Sequence, residues 1–244
     1  MFHRQLRGLF LFAALVFVAG TLRPEAVVPA ASLSSMQIVE RMQGENAARM
    51  QALKHYKALR HYQVEYEGFS KKIGARMDVE VSFDAGTGKS FQIMSESGSK
   101  FLCEKVLQRA VDSEKEASQD SAATQLTPAN YKFHLLGSEN LAGRPAYILD
   151  VEPVKENKFL YRGKIWVDAA DFALVKIEAE PAKSPSFWIS KTVIRHTNKK
   201  THGFWLPELN RSETSVRIGG TAVLTIDYGT YQMDEGGSFY GAGS

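Results

Sequence analysis

From His61 to Tyr231 the chain alternates apolar and polar residues again and again, and this period of two constrains the fold more than any other feature. Met77-Asp78-Val79-Glu80-Val81-Ser82-Phe83-Asp84 is the clearest case, with apolar groups on one face and acids or a hydroxyl on the other. Side chains on a strand point to opposite faces in turn, so each such segment covers an interior on one side and meets water on the other. Repeated along the chain, the pattern predicts a large, mostly antiparallel sheet with one wet face. The other face needs a cover: a second sheet, helices or a ligand.

At 244 residues, with a hydrophobic fraction of 44%, the chain has enough apolar material for the core of one domain or at most two small ones. Its start is a different material. His3, Arg4 and Arg7 form a basic beginning, Leu9 to Val18 is unbroken apolar, and Ala19-Gly20 follows. This is the anatomy of a secretory signal peptide, over residues 1–20, and the run is too short for the ~20 residues that cross a bilayer. Cleavage is expected after Gly20; a cut near Ala30-Ala31 and an uncleaved anchor are the alternatives. The protein is therefore expected to be exported. Cys103 is the only cysteine, so no internal disulfide can form. Removing Arg4 and Arg7 with the signal leaves 28 basic residues against 27 acidic ones, which argues against a nucleic-acid partner.

Residues 21–33, rich in Ala, Val and Pro, read as a linker. Ser34-Ser35-Met36-Gln37 has the form of a capping box. A helix is predicted to follow to about Arg60, with Val39, Met42, Met50, Leu53, Tyr56 and Leu59 as its apolar stripe and Gly44 placed to bend it. Strands come next: Tyr62 to Tyr66, the Met77 strand, a turn at Ala85-Gly86-Thr87-Gly88 and a return from Phe91 to Ser95. Lys100 to about Ser118 reads as a second helix. Seven further strands are predicted, Tyr131–Leu136, Ala146–Glu152, Tyr161–Asp168, Ala173–Glu180, Phe187–His196, Leu206–Val216 and Thr221–Tyr231, before a glycine-rich tail over 232–244.

Catalytic chemistry finds little support. Gly86-Thr87-Gly88-Lys89-Ser90 ends like a phosphate-binding loop, but Phe83 stands where that motif needs its first glycine, and strand-like residues follow where it needs a helix. A hairpin turn is the expectation. The six histidines have no metal-ligand spacing, and no Gly-x-Ser-x-Gly elbow exists. The acids sit on wet strand faces, and Cys103 reads as a small, partly buried side chain. No catalytic residue, metal or cofactor is expected. The aromatic triplets Phe187-Trp188-Ile189 and Phe204-Trp205-Leu206, and Trp166, are either ordinary core or the lining of a cavity for an apolar ligand.

The stretch Gly163-Lys164-Ile165-Trp166-Val167-Asp168, followed by Leu174-Val175-Lys176-Ile177-Glu178 and preceded by Gly143-Arg144-Pro145-Ala146-Tyr147-Ile148-Leu149-Asp150-Val151, resembles the periplasmic LolA/LolB-like lipoprotein-sorting family over about residues 34–231. The resemblance implies mainly β structure with some α: a single curved antiparallel sheet, an open half-barrel, whose concave face is covered by helices. Acyl chains would occupy the space between, and burying about 14 CH₂ groups at ~0.8 kcal/mol each would release ~11 kcal/mol before the costs of ordering. It also implies the periplasm as the compartment, and an arginine that holds the lid to the sheet, for which Arg76 is the candidate.

Together these readings predict a monomeric, non-enzymatic carrier of lipid or lipoprotein acyl chains bound for the outer membrane. A sensor-type module of the same fold that docks an envelope protein is the alternative. Strand parity assigns Met77, Val79, Val81, Phe83, Phe91, Ile93, Ile165, Val167, Phe187 and Ile189 to the cavity lining, and a slip of one residue would invert the set. Val39, Met42, Met50 and Leu53 are assigned to the lid helix, whose unbranched thioethers suit a surface that repacks.

Overall fold

A computed structural model describes residues 33–184, 189–217 and 219–233. The signal-peptide expectation, most of the linker and tail, and Phe187 lie outside them. Among the described residues ten strands form one antiparallel sheet: β1 (His55–Glu67), β2 (Lys72–Asp84), β3 (Gly88–Gly98), β4 (Tyr131–Leu141), β5 (Arg144–Pro153), β6 (Tyr161–Asp168), β7 (Leu174–Pro181), β8 (Ile189–Thr201), β9 (Phe204–Val216) and β10 (Thr221–Asp227). Their order is β3-β2-β1-β10-β9-β8-β7-β6-β5-β4, so the sheet is an open half-barrel with β3 and β4 as its edges.

These two edges are neighbours in sequence, so the chain between them must cross the sheet. That crossing is helical: α2 (Lys100–Leu102), a π-helical turn (Cys103–Leu107), α3 (Gln108–Gln119) and the short α4 (Ser121–Thr124). Both edges are blunted by bulges. Met94 in β3 and Leu136 in β4 fall between paired neighbours, each 54% exposed, and a kinked edge is a poor template for another strand.

Helix α1 (Ser35–Ala52) starts with the predicted capping box: Gln37 N–H donates to Ser34 Oγ, and the Ser34 N–H donates to Gln37 Oε1 at 2.9 Å. It stops eight residues before the predicted end. Leu53 is its extended C-cap, and Tyr56 and Leu59 belong to β1. The reason is the inward row of β1, Tyr56, Ala58, Arg60, Tyr62 and Val64. An arginine in the middle of that row hides the period of two, while Leu53, Tyr56 and Leu59 happen to fit a helical stripe.

The helices bury two separate cores on the same side of the sheet. In the first, Leu102, Cys103, Leu107 and Val111 pack on Met77, Val79 and Val81 of β2, Tyr62 and Val64 of β1, and Ile226, Tyr228 and Tyr231 from β10 and the residues after it. In the second, Ile38, Val39 and Met42 of α1 pack on Tyr131 and Phe133 of β4, Leu149 and Val151 of β5, Ile165 and Val167 of β6, and Ile177 of β7. The opposite face is polar, as the alternation requires: Asp150, Lys164, Glu178, Arg195 and Arg211 form one cross-strand row. Trp166 is buried on that face. Its Nε1 donates to Glu139 and Lys176 Nζ lies 4.3 Å above its ring.

Candidate functional site

Between the two cores the sheet is not filled. A cavity of about 680 Å³ lies there, a size suited to ligands. One wall is the C-terminal half of α1: Met42, Gln43, Asn46, Ala47, Arg49 and Met50. The segment Thr124, Gln125, Leu126 and Thr127 forms another, and Tyr161, Ala173, Leu174, Asn198 and Trp205 form the floor. The two walls are tied together, since Gln43 Nε2 donates to the Leu126 carbonyl at 3.2 Å.

The floor is built on the turn between β6 and β7. Asp168, 1% exposed, accepts from Arg144 Nε at 2.6 Å and Arg144 Nη2 at 2.9 Å, and its Oδ1 also accepts the N–H groups of Ala170 and Asp171. Burial by itself raises the Asp168 carboxyl, but Arg144 and the two amides outweigh it and hold the group below its ordinary value. The final aspartate of the Trp-Val-Asp motif is therefore a turn-closing residue. Beside it, Asp171 Oδ2 accepts from Lys200 Nζ (2.8 Å), Trp205 Nε1 (2.9 Å) and Arg144 Nη2 (3.0 Å). The turn forces Phe172 to a positive φ of 46°, a strained conformation for a bulky side chain. Its carbonyl and that of Asp171 receive Arg49 Nη2 (3.2 Å) and Nη1 (2.8 Å) from α1, and Arg41 lies 5.2 Å above its ring. Thus α1 is clasped to the rim of the sheet through backbone carbonyls.

Helix α3 is held differently. Arg60 of β1 is 0% exposed, and its Nη1 donates to both oxygens of Glu114 at 2.7 Å. The Tyr228 ring centroid lies 4.5 Å from the guanidinium carbon and that of Phe91 5.9 Å. Among the described residues Arg60 Nε and Nη2 have no hydrogen-bond partner, and aromatic faces flank the cation. Burial would raise Glu114, but Arg60 and Lys89 overcome it and keep the carboxyl low. Burial and the Glu114 charge push the neighbouring Tyr62 up to about 12.

A third polar group joins the two regions. His196 of β8 has Nε2 3.0 Å from Asn198 Oδ1 and Nδ1 3.5 Å from Asn210 Nδ2, with Tyr228 edge-on at 5.9 Å. Asn198 in turn donates to the Leu174 carbonyl at the cavity floor. Burial lowers the His196 pKa, so the imidazole is neutral, which fits one donating and one accepting nitrogen.

Strand parity put the predicted lining on the helix-covered face, but most of those residues face protein. Met77, Val79 and Val81 lie under Leu107 and its neighbours; Ile165 and Val167 lie under α1. Phe83 stacks on Tyr56 and Phe91 packs on the first core, while Ile93, on the edge strand, is 43% exposed. Ile189 is half-buried at the start of β8, away from the main cavity. Of the lid residues, Met42 and Met50 do line the cavity, Val39 belongs to the second core, and Leu53 caps α1 and belongs to the first. Arg76 is exposed on the outer face between Gln63 and Ser97; the arginine bonded to a helix from within the sheet is Arg60. The Gly86-Thr87-Gly88 segment is a hairpin turn closed on Asp84 Oδ1, and Lys89 reaches Glu114 at 3.3 Å. Only Trp205, from the aromatic triplets, pointed toward the real floor; the amides of α1 carried no recognisable signal.

No protein-family model matches the chain, and no curated protein matches it. Among solved structures, it is similar to a DUF1329 family protein from Desulfovibrio piger, at 14% identity and a TM-score of 0.44 over 85% of this chain and 96% of that one. It is also similar to a putative outer membrane lipoprotein-sorting protein domain from Vibrio parahaemolyticus (11%, TM-score 0.41, 82% and 94%). A LolA superfamily protein from Nitrosomonas europaea is a third (11%, TM-score 0.37, 84% and 95%). These likenesses concern the general fold; the cavity and its clasps stand on this chain's own residues.

Proposed function

We propose that the protein is a passive, non-enzymatic carrier in the periplasm that shelters the hydrocarbon part of a lipid between α1 and the sheet and hands it to an outer-membrane partner. The observation that carries this is the cavity of about 680 Å³ beneath the second half of α1, which is held to the sheet at its rim while the first half is packed in the second core. Cargo enters by movement of that second half: its cavity-facing Met50 is 49% exposed, and Arg49 bonds carbonyls that water can take over. Helix α3 stays in place, because moving it would separate the buried Arg60–Glu114 pair. In this reading the arginine that holds the lid is Arg49 of α1 itself, and Arg60 anchors the helix that does not move.

The test is extraction of the protein under mild conditions and mass spectrometry of what travels with it. A bound lipid is expected. Turnover of a generic ester or glycoside, abolished by changing a single carboxylate or serine, would replace the carrier with an enzyme. The alternative, a module that docks an envelope protein, draws support from the filling of Met77, Val79 and Val81 by helix side chains. Its signature is a protein that yields no lipid yet captures a defined envelope partner.

A further inference from the structure

We infer that the cavity takes one hydrocarbon chain bearing an uncharged, hydrogen-bonding head, and not a lipid with two or three chains. This rests on the carrier reading and specifies its ligand class. The volume sets the first limit. A cavity of ~150 Å³ accommodates benzene, or ~25 Å³ per carbon, so 680 Å³ has room for about 27 non-hydrogen atoms. One chain of about 16 carbons with a small head fits; three such chains, with about 48 carbons, do not.

The cavity cannot widen along the sheet to admit them. On one side stands the first core with the Arg60–Glu114 pair, and on the other the second core, with Val39, Ile165 and Val167 fully buried. Growth in either direction would expose close-packed apolar surface.

The lining sets the head group. Among the described residues no carboxylate lines the cavity, so an ammonium would find no counter-charge there. Arg49 is the one charged residue among the described lining residues, and two of its nitrogens already serve the Asp171 and Phe172 carbonyls, with Glu45 and Asp171 nearby to balance it. The polar groups that remain are neutral. They include the Tyr161 hydroxyl, whose ionisation burial pushes far out of reach, the Thr124 and Thr127 hydroxyls, and the Asn46 and Gln125 amides. Apolar Met42, Leu126 and Leu174 share the same space. Such a site receives hydroxyls and ester carbonyls beside a single chain, the chemistry of a monoacylglycerol.

The experiment is quenching of tryptophan fluorescence in the full protein by bromine-labelled lipids, with native mass spectrometry for stoichiometry. A brominated monoacylglycerol is expected to bind one to one and to quench the wild type. Trp205→Phe should lose most of that quenching. Ala47→Trp, an exposed helical position on the cavity wall, should weaken binding at least tenfold while the thermal midpoint is kept. A diacylglycerol, a triacylated lipopeptide and an alkyltrimethylammonium should each bind at least tenfold more weakly. Equal or tighter binding of a two- or three-chain lipid overturns the inference but leaves the carrier standing. Equal binding of the cation, or tenfold tighter binding of the fatty acid anion, overturns the head-group assignment. Failure of every lipid class to bind overturns the carrier reading itself.

Discussion

The two halves of this sheet are covered in opposite ways. Over β1–β3 and β10, the helical crossing packs close against the strands and drives a buried ion pair into them. Over β4–β7, α1 buries only its first half and spans a cavity with its second, secured by hydrogen bonds to carbonyls at the rim. The difference teaches how one sheet can be rigid and yielding at once. A buried pair is costly to separate, because Arg60 would be stranded without solvent or counter-charge, whereas a bond to a carbonyl at a wet rim exchanges readily for water.

The comparison breaks most sharply at Glu114. Glu114→Ala leaves Arg60 buried without its counter-charge and should cost about 3–5 kcal/mol in urea unfolding. Arg60→Met should cost less, since Glu114 keeps Lys89. If the two variants lost the same stability, the stranded-charge account of the first half would fail.

Asp168→Ala probes the other half. It removes the charged hydrogen bonds that organise the turn beneath α1 and should cost roughly 1.5–3 kcal/mol. Hydrogen exchange should rise in α1 and the β6–β7 turn while α3 stays protected; equal loosening of both helices would erase the distinction. Ser34→Ala removes half of the capping box and should cost ~1 kcal/mol, with fraying confined to the start of α1.

The smallest effect concerns pH. His196 has a lowered pKa in the fold, so the unfolded chain binds the extra proton. Stability is therefore complete above the ordinary histidine value of about 6.5 and declines as pH falls below it toward the folded pKa. Thermal midpoints measured from pH 7.5 to 5.5 should fall in the wild type and fall less in His196→Gln. Parallel slopes would remove His196 from the account.

Much of the architecture was legible because alternation is local. Met77, Val79, Val81, Ile165 and Val167 were placed on the covered face by parity alone, and there they lie. The cavity was not legible in the same way. Which inward residues meet a ligand depends on where the crossing helices happen to lie, a tertiary matter that no strand pattern records. Arg60 escaped for a sharper reason: a charge in an inward position contradicts the rule by which inward positions are recognised, and only its partner 54 residues on makes it tolerable. Arg76, one strand over, was the candidate that the resemblance implied, but it obeys the alternation, and obeying it places an arginine in water.

The pairing of β1 with β10 joins His61 to Asp227 and so sews together segments from the two ends of the described chain. Until Thr221–Asp227 has been delivered, β1 has no partner on that flank, and the three N-terminal strands are an isolated sheet with a raw margin. Contacts of such long sequence separation form slowly, since much chain entropy must be lost before they reward it. A nascent chain of this design remains unfinished, and therefore threadable, until β10 arrives.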